Sequence, residues 1–104
     1  MLGNYYSQAM DKKWPTTSNL TLALLKVLVN LGGEGSVNEL DLGVIQEINL
    51  SEDLLTIKRS GNRKEIQYRL AWIRTKAKQN GFITKEDHRI WKITEKGGIF
   101  LNSH

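Results

Sequence analysis

Apolar residues recur at helical spacing in the first half of the chain. They follow Pro15 at intervals of four, four and three residues, which places them on one face of a helix. These positions are Leu20, Leu24, Leu28 and Leu31. Thr17 or Ser18 is suited to cap the start of this helix, and Gly32-Gly33 to end it. The pattern predicts a first helix that buries one face in a core.

A second helix is predicted after Ser36, which forms a capping box with Glu39. In this motif the hydroxyl and the carboxylate each accept a hydrogen bond from a backbone N–H that the helix start leaves unpaired. The apolar stripe of this helix is Val37, Leu40, Val44 and Ile48. Residues 51–53 (Ser-Glu-Asp) then indicate a short acidic turn or helix. Residues 60–62 (Ser-Gly-Asn) break the chain, and Asn62 with Glu65 is suited to cap the next helix.

A long basic helix is predicted over residues 63–80, ending at Asn80-Gly81. Its apolar residues fall within about 40° of one another at 100° per residue, which marks the buried face. They are Ile66, Leu70, Ile73 and Ala77. Residues 82–84 and 90–93 then indicate two strands of a hairpin, and Thr94 with Glu95 starts a last short helix.

The order of elements predicts an α+β, mostly helical fold, a winged helix-turn-helix. It would have a three-helix core, a β-hairpin wing and a short C-terminal helix. In such folds the long helix enters the major groove of DNA and the hairpin lies along the neighbouring backbone. The 104-residue length suits one domain. We expect that domain to cover residues 14–104, after a flexible N-terminal leader over residues 1–13.

The charge is concentrated in the basic helix and the hairpin. Residues 58–92 hold eleven Lys and Arg against three acids, a net charge of +8, whereas residues 1–57 hold three against seven, a net charge of −4. The overall +4 therefore hides a strongly basic segment on an acidic remainder. Such a segment attracts a phosphate backbone by releasing its counterions. The alternative is a basic but merely solvated helix face.

Candidate DNA-contacting residues follow from the face of the basic helix opposite its apolar stripe. Gln is suited to bind adenine with two hydrogen bonds, and Ala or Thr to touch a thymine or other methyl group. Arg at the helix start is better suited to phosphate. The predicted recognition-helix set is Arg63, Lys64, Gln67, Tyr68, Ala71, Thr75 and Lys78, and the predicted wing set is Lys85, His88 and Arg89. The alternative is an ordinary solvent-exposed face.

The three tryptophans invite different interpretations. Trp72 lies at the margin of the exposed face, where it would either pack against a neighbouring element or contact a ligand. Trp91 alternates with Ile90 and Ile93 and is expected to anchor the hairpin. Trp14 is expected to staple the segment before the first helix onto the core.

The composition argues against several other classes of function. The chain has no cysteine and two histidines, which offer no credible metal site, and no Ser-His-Asp pattern supports nucleophilic catalysis. The acids, such as Asp41 and Glu47, are explained as helix-start charges and solvated faces. No apolar run is long enough to span a membrane, and no secretion signal is recognisable. We therefore expect no cofactor, no metal, no membrane partner and a cytoplasmic protein without catalysis of its own.

Three features together form a specific combination: a Trp within the predicted recognition helix, a Gly after that helix, and a return strand with the pattern W-x-I-T-x-x-G. Further matching segments are Trp14-Pro-Thr16, residues 22–28, Leu50-Ser-Glu52, Ser60-Gly61, residues 69–75, Gly81-Phe82 and residues 91–97. In these features, over roughly residues 14–101, the sequence resembles the N-terminal winged-helix domain of Mrr-type restriction endonucleases, which are modification-dependent nucleases.

The resemblance implies a module that recognises modified double-stranded DNA, with methylated cytosine or adenine as candidate marks. In the family a nuclease domain follows, in which carboxylates and a lysine hold the catalytic metal. That constellation does not occur within the 104 residues. We therefore expect the domain that recognises DNA and not the domain that cleaves it, with the nuclease as a linked or separate partner. Two alternatives remain: a protein-interaction winged helix that docks an acidic partner, and a small transcriptional regulator, which would need a dimer.

Overall fold

Ten short elements build the fold in the computed structural model, which describes residues 14–104. They are α1 (Thr17–Asn30), β1 (Glu34–Ser36), α2 (Val37–Glu47), α3 (Glu52–Leu55), β2 (Lys58–Ser60), β3 (Arg63–Lys64), α4 (Glu65–Gln79), β4 (Ile83–Lys85), β5 (Ile90–Ile93) and α5 (Glu95–Asn102). The predicted α+β, mostly helical class is confirmed, and the arrangement is compatible with a winged-helix-like fold. The predicted leader over residues 1–13 lies outside the described residues.

Helix α1 begins one residue earlier than the capping residues predicted. The hydroxyl of Thr16 accepts a hydrogen bond from the amide of Asn19 at 3.0 Å, and Thr16 has an extended backbone. Thr17 is already helical, so neither Thr17 nor Ser18 is the cap. At the other end the predicted glycine stop is confirmed, because Gly32 and Gly33 have φ angles of +94° and +107° that disfavour other residues.

The core lies where α1 packs against α4 on one side and α2 on the other. Most residues of the three predicted apolar stripes are buried or half-buried there, which accounts for most of the helical stability. The exception is Leu31, which follows the last residue of α1 and is 41% exposed. The least exposed members include Leu25, Leu28, Leu40, Val44 and Ile66. The four predicted core residues of α4, Ile66, Leu70, Ile73 and Ala77, are all buried. The capping box of Ser36 and Glu39 is also present at the start of α2.

A three-stranded antiparallel sheet closes the other side of the core, in the order β1-β5-β4. The predicted hairpin is confirmed, with β4 one residue later than expected, and Trp91 pairs with Lys85 on one side and Gly35 on the other. Trp91 is 7% exposed and therefore anchors the hairpin as predicted. Strand β1 was not predicted, because its sequence Glu-Gly-Ser has no apolar alternation.

The connection between α2 and α4 contains a second hairpin that was also not predicted. Strands β2 and β3 pair with each other around the turn at Gly61-Asn62. Asn62 therefore belongs to this turn and does not cap α4; the capping position is Lys64, in extended conformation. Arg63 and Lys64 consequently belong to β3, and α4 runs from Glu65 and not from residue 63.

Helix α5 is seated on the start of the β4–β5 hairpin. The hydroxyl of Thr94 caps it by accepting from the amide of Gly97 at 3.0 Å, as the sequence predicted for Thr94. Gly97 lies so close to the chain that an added Cβ would be 2.2 Å from the carbonyl oxygen of Phe82. The rings of Phe82 and Phe100 stack at 4.4 Å. Within residues 14–104, no helix is long and apolar enough to cross a membrane.

Candidate nucleic-acid interface

The outward side of α4 is defined by Gln67, Ala71, Thr75 and Lys78, which we call the outer face. Three of these side chains are exposed, and Ala71 is half-buried. They lie opposite the buried stripe because the helix turns by about 100° per residue. Since Ala71 and Thr75 are small, the middle of this face lets the helix backbone approach a neighbouring molecule closely.

Hydrogen bonds already engage two polar groups of the outer face. The hydroxyl of Thr75 donates to the carbonyl oxygen of Ala71 at 3.1 Å, so Thr75 offers a partner its acceptor oxygen and its methyl group. The side-chain oxygen of Gln67 accepts from the amide of Lys64 at 3.1 Å. Bidentate contact with adenine needs that oxygen together with the NH₂ group. Gln67 is therefore a capping residue of α4 in this structure as well as a candidate reader.

A cleft of about 500 Å³ separates the outer face from the β4–β5 hairpin. It is lined by Thr75, Lys78, Gln79, Lys85 and Trp91, so it brings together three of the predicted site residues. The ammonium of Lys85 lies 5.5 Å from the centre of the Trp91 ring. The indole N–H of Trp91 is buried and has no hydrogen-bond partner among the described residues. The side chains of Lys78 and Lys85 therefore line one cleft together with the ring of Trp91.

His88 and Arg89 lie apart from this cleft. Both are exposed in the loop that joins β4 to β5, and neither lines the cleft. The backbone amide of His88 donates to the carboxylate of the neighbouring Asp87. The predicted wing residues thus divide into Lys85, which faces α4, and two residues at the hairpin tip.

Tyr68 and Trp72 lie in the first half of α4, and neither lines the cleft beside the β4–β5 hairpin. The indole N–H of Trp72 donates to the hydroxyl of Tyr68 at 3.0 Å, and the guanidinium of Arg59 lies 3.5 Å from the centre of the Tyr68 ring. Trp72 remains 47% exposed and borders a groove of about 340 Å³ that also includes Pro15. Tyr68 is thus a stacking platform for Arg59, an arrangement that cation–π attraction favours.

Arg59 was not among the predicted site residues. It stacks on Tyr68 and pairs with Glu65, whose other carboxylate oxygen accepts from Arg69. The two nitrogen–oxygen distances are 3.1 Å and 2.8 Å. The ring of Trp14 lies under Arg69, with 4.3 Å between guanidinium and ring centre, and is partly buried as expected of a staple. The sequence signal for Arg59 was its place in the basic run over residues 58–64.

Three acids of the N-terminal half have structural partners. Asp41 of α2 pairs with Arg74 of α4, and burial raises the pKa of Asp41 although the charge and hydrogen bond of Arg74 oppose that shift. Hydrogen bonds from the backbone amide and the hydroxyl of Ser36 lower the pKa of Glu39. Glu47 pairs with Lys26 at 2.9 Å. Asp41 and Glu47 thus join helices, contrary to the expectation that they are helix-start charges or lie on solvated faces, and Glu39 caps its own helix.

The remaining cations of the basic segment are all exposed. Three arginines of residues 58–92 are engaged in ion pairs with acids, namely Arg59, Arg69 and Arg74. The other eight basic side chains of this segment form no ion pair within the part of the chain that the structure describes. They are Lys58, Arg63, Lys64, Lys76, Lys78, Lys85, Arg89 and Lys92. They lie on α4 and on the two hairpins that adjoin it.

The fold and this surface together define a small, mostly helical α+β domain that presents a basic helix between two basic hairpins. No group of three or more His, Asp and Glu side chains within residues 14–104 is arranged to hold a metal ion. The chain belongs to the Mrr N-terminal domain family, whose model matches residues 18–103. This is a non-catalytic domain family associated with restriction systems. Comparison with curated proteins and with solved structures gave no match.

Proposed function

We propose that this domain binds double-stranded DNA, with the outer face of α4 in the major groove and the β4–β5 hairpin as a wing along the backbone. Within a restriction system it would act as the target-recognition module, and the chemistry would come from a partner nuclease domain. Membership of the Mrr N-terminal domain family supports the restriction context.

The observation that carries the proposal is the distribution of the exposed cations. Eight Lys and Arg side chains without an ion pair among the described residues lie on one helix and its two adjoining hairpins. In the same part of the molecule, Arg69 pairs with Glu65 of α4 itself and Arg74 pairs with Asp41 of α2, so these two arginines stabilise the position of α4. A surface that keeps so much positive charge uncompensated is suited to a polyanion, since binding releases the counterions condensed on DNA.

The shape of the outer face agrees with a duplex as the polyanion. A major groove about 12 Å wide admits an α-helix, and the small Ala71 and Thr75 let the backbone of α4 approach the base edges. Lys78 and Lys85 both line the cleft, and in the proposed complex they would contact phosphates of the neighbouring DNA strand. Arg89 and His88 at the hairpin tip extend the same contact.

We further propose that the methyl group of Thr75 and the side chain of Ala71 recognise a modified base by contact. A methyl mark on cytosine or adenine projects into the major groove, where an apolar contact recognises it. The cleft beside the outer face is lined by two lysines and open, so direct contact in the groove is favoured over capture of a flipped base.

Fluorescence anisotropy with three matched duplexes tests this function: unmodified, 5-methylcytosine and N6-methyladenine, each at two salt concentrations. We expect binding that weakens steeply with salt, and one modified duplex that binds more tightly than the unmodified one. Equal affinity for all three duplexes would remove the modification reading and leave a DNA-binding domain. Absence of binding at low salt would overturn the DNA proposal.

A matched pair of variants locates the surface. Lys78→Gln removes a positive charge at the cleft, and Lys26→Gln removes the same charge from α1, where Lys26 pairs with Glu47. We expect only Lys78→Gln to reduce the salt dependence, by about 0.9 in the slope of log affinity against log salt. Equal effects of the two substitutions would contradict the assignment of this face.

A further inference from the structure

The β2–β3 hairpin is the most basic surface element of the described chain. Within residues 58–64 it carries Lys58, Arg59, Arg63 and Lys64, and no acid. Every residue of its two strands is exposed. It buries no apolar side chain, so packing alone does not account for its sequence.

Its pairing places like charges opposite each other. Lys58 of β2 is the cross-strand partner of Lys64 of β3, and Arg63 is opposite Ser60. Like charges directly opposite in an antiparallel pair destabilise it. A phosphate bound near both ammonium groups would attract each of them and so offset the repulsion between them. The hairpin therefore has the charge arrangement of a phosphate-binding element.

The hairpin is attached to α4 through Arg59, which lies at a β-bulge. The register shifts between Lys58 and Ser60, which leaves Arg59 without an opposite residue and turns the strand. Arg59 stacks on Tyr68 and pairs with Glu65, while the amide of Glu65 donates to the carbonyl oxygen of Ile57 at 2.9 Å. The guanidinium of Arg63 lies 5.6 Å from the centre of the same Tyr68 ring. One arginine docks the hairpin, and three cations remain on its surface.

The two hairpins adjoin different parts of α4. The β2–β3 hairpin leads directly into Glu65 and contacts Tyr68, whereas the β4–β5 hairpin faces Thr75 and Lys78. Thr75 and Tyr68 are seven residues apart, which corresponds to about 10 Å along a helix. The two residues are only about 20° apart around the axis, so they lie on nearly the same face of the helix. A helix lying in the groove would thus present one basic hairpin near each of its two ends.

We propose that the β2–β3 hairpin is a second wing, which contacts the phosphate backbone beside the start of α4, while the β4–β5 wing contacts it nearer the end of that helix. Lys58, Arg63 and Lys64 supply the contacts, and Arg59 positions the hairpin against Tyr68. This inference rests on the proposed DNA binding, because it assigns a further part of the same interface. It also gives Arg63 and Lys64 a place on a strand and not on the recognition helix.

Directed cleavage of DNA tests the second wing. The chain has no cysteine, so a single introduced cysteine carries an iron–EDTA group to one chosen position. Asn62→Cys labels the turn of the β2–β3 hairpin, His88→Cys labels the tip of the β4–β5 hairpin, and Gln46→Cys labels the exposed surface of α2 as a control. We expect the first two conjugates to cut the duplex at separate positions along one major groove, and the α2 conjugate to cut weakly.

The outcomes separate this inference from the function on which it rests. Cutting by the His88 conjugate without cutting by the Asn62 conjugate would overturn the second wing and leave the DNA-binding proposal standing. If none of the unlabelled or labelled proteins binds the duplex in anisotropy, both are overturned. Cutting by both hairpin conjugates at the same nucleotides would contradict the placement at the two ends of α4.

A charge variant gives an independent measure. The double substitution Lys58→Gln with Lys64→Gln removes two of the proposed phosphate contacts, so the slope of log affinity against log salt should fall by about 1.8. Lys26→Gln, on α1, where Lys26 pairs with Glu47, should leave the slope unchanged. An unchanged slope in the double variant, with the fold intact by circular dichroism, would overturn the proposal.

Discussion

The two hairpins beside α4 are held in opposite ways. The β4–β5 hairpin is part of a three-stranded sheet, and its Ile83 and Trp91 are buried in the core, at 1% and 7% exposure. The β2–β3 hairpin pairs only with itself, and all its strand residues are exposed. Its position depends on Arg59, which reaches Tyr68 and Glu65. Burial fixes one hairpin, and charge with aromatic stacking fixes the other.

This difference sets the expected mobility of each hairpin. Segments with few buried apolar contacts open with a lower free energy than the global unfolding reaction. We expect the amides of β4 and β5 to exchange hydrogen at about the rate set by global unfolding, and those of β2 and β3 to exchange faster. In the proposed complex, the loosely held hairpin would adapt its position to the DNA backbone, while the buried hairpin would keep a fixed position.

Gly97→Ala should produce the largest effect, because it disturbs the anchor of the β4–β5 hairpin. The new Cβ would lie 2.2 Å from the carbonyl oxygen of Phe82, so α5 must shift away from the start of β4. We expect a loss of about 3 kcal/mol in the free energy of unfolding, measured in urea. Gly98→Ala is the matched control: its Cβ meets nothing within 4 Å, and better helix propensity should make it neutral or slightly stabilising.

Arg74→Ala should be next, because Arg74 joins α4, which carries both hairpins, to α2. The substitution leaves the carboxylate of Asp41 without the partner that it has in the native protein. The pair is mostly but not fully buried, so we expect a loss of about 2 kcal/mol in urea denaturation. If the double variant Asp41→Asn with Arg74→Ala is no more stable than Arg74→Ala alone, the stranded carboxylate is not the cause.

The raised pKa of Asp41 leads to a prediction about the pH dependence of stability. Because burial raises its pKa in the folded state, the folded protein binds more protons than the unfolded chain between the ordinary value of 3.8 and the raised one. Acidification through that interval therefore contributes stability at this site. In Asp41→Asn the contribution is absent, so the free energy of unfolding should fall more steeply towards acid pH than in the unsubstituted protein. Parallel curves would contradict the burial argument.

Glu65→Gln should separate the two hairpins with a smaller effect. It weakens the acceptor shared by Arg59 and Arg69, whose side chains are partly exposed, so the global loss should be about 0.5 kcal/mol. Hydrogen exchange should accelerate in β2 and β3 and stay unchanged in β4 and β5. Equal acceleration in both hairpins would show that Glu65 supports α4 as a whole.

Lys58→Gln should have the smallest effect on the free protein. It removes the repulsion between Lys58 and Lys64, so thermal unfolding should show a gain of about 0.3 kcal/mol. Lys92→Gln, which removes a cation opposite Glu34, is the contrasting control and should not stabilise. A loss of stability in Lys58→Gln would mean that the like-charge pair is compensated by other groups.

The same contrast explains which parts of the fold the sequence predicted. The apolar stripes of α1, α2 and α4 and the alternation of Ile90 to Ile93 encode burial, and burial is what hydrophobic periodicity reports. Strands β1, β2 and β3 are two or three residues long and carry almost no apolar side chains, so periodicity contains no signal for them. The pairing partner of β1 lies in β5, more than fifty residues away in sequence.

The candidate site was partly predictable for a related reason. Helical spacing sorted Gln67, Ala71, Thr75 and Lys78 onto one face, since that follows from geometry alone. The roles of Arg59 and Tyr68 could not be predicted, because they depend on how the β2–β3 bulge turns the strand towards α4. The capping bond of Gln67 depends likewise on where the helix begins. Whether these residues bind DNA stays a prediction.

Backbone and indole NMR shifts during titration with a short duplex test the central claim most directly. The account predicts that shifts concentrate on the outer face of α4 and on both hairpins, and that they weaken together as salt is raised. The exposed apolar residues Val29, Leu31 and Leu42 on α1 and α2 should not respond. Shifts confined to that apolar side, or no shifts at low salt, would contradict a DNA interface on α4.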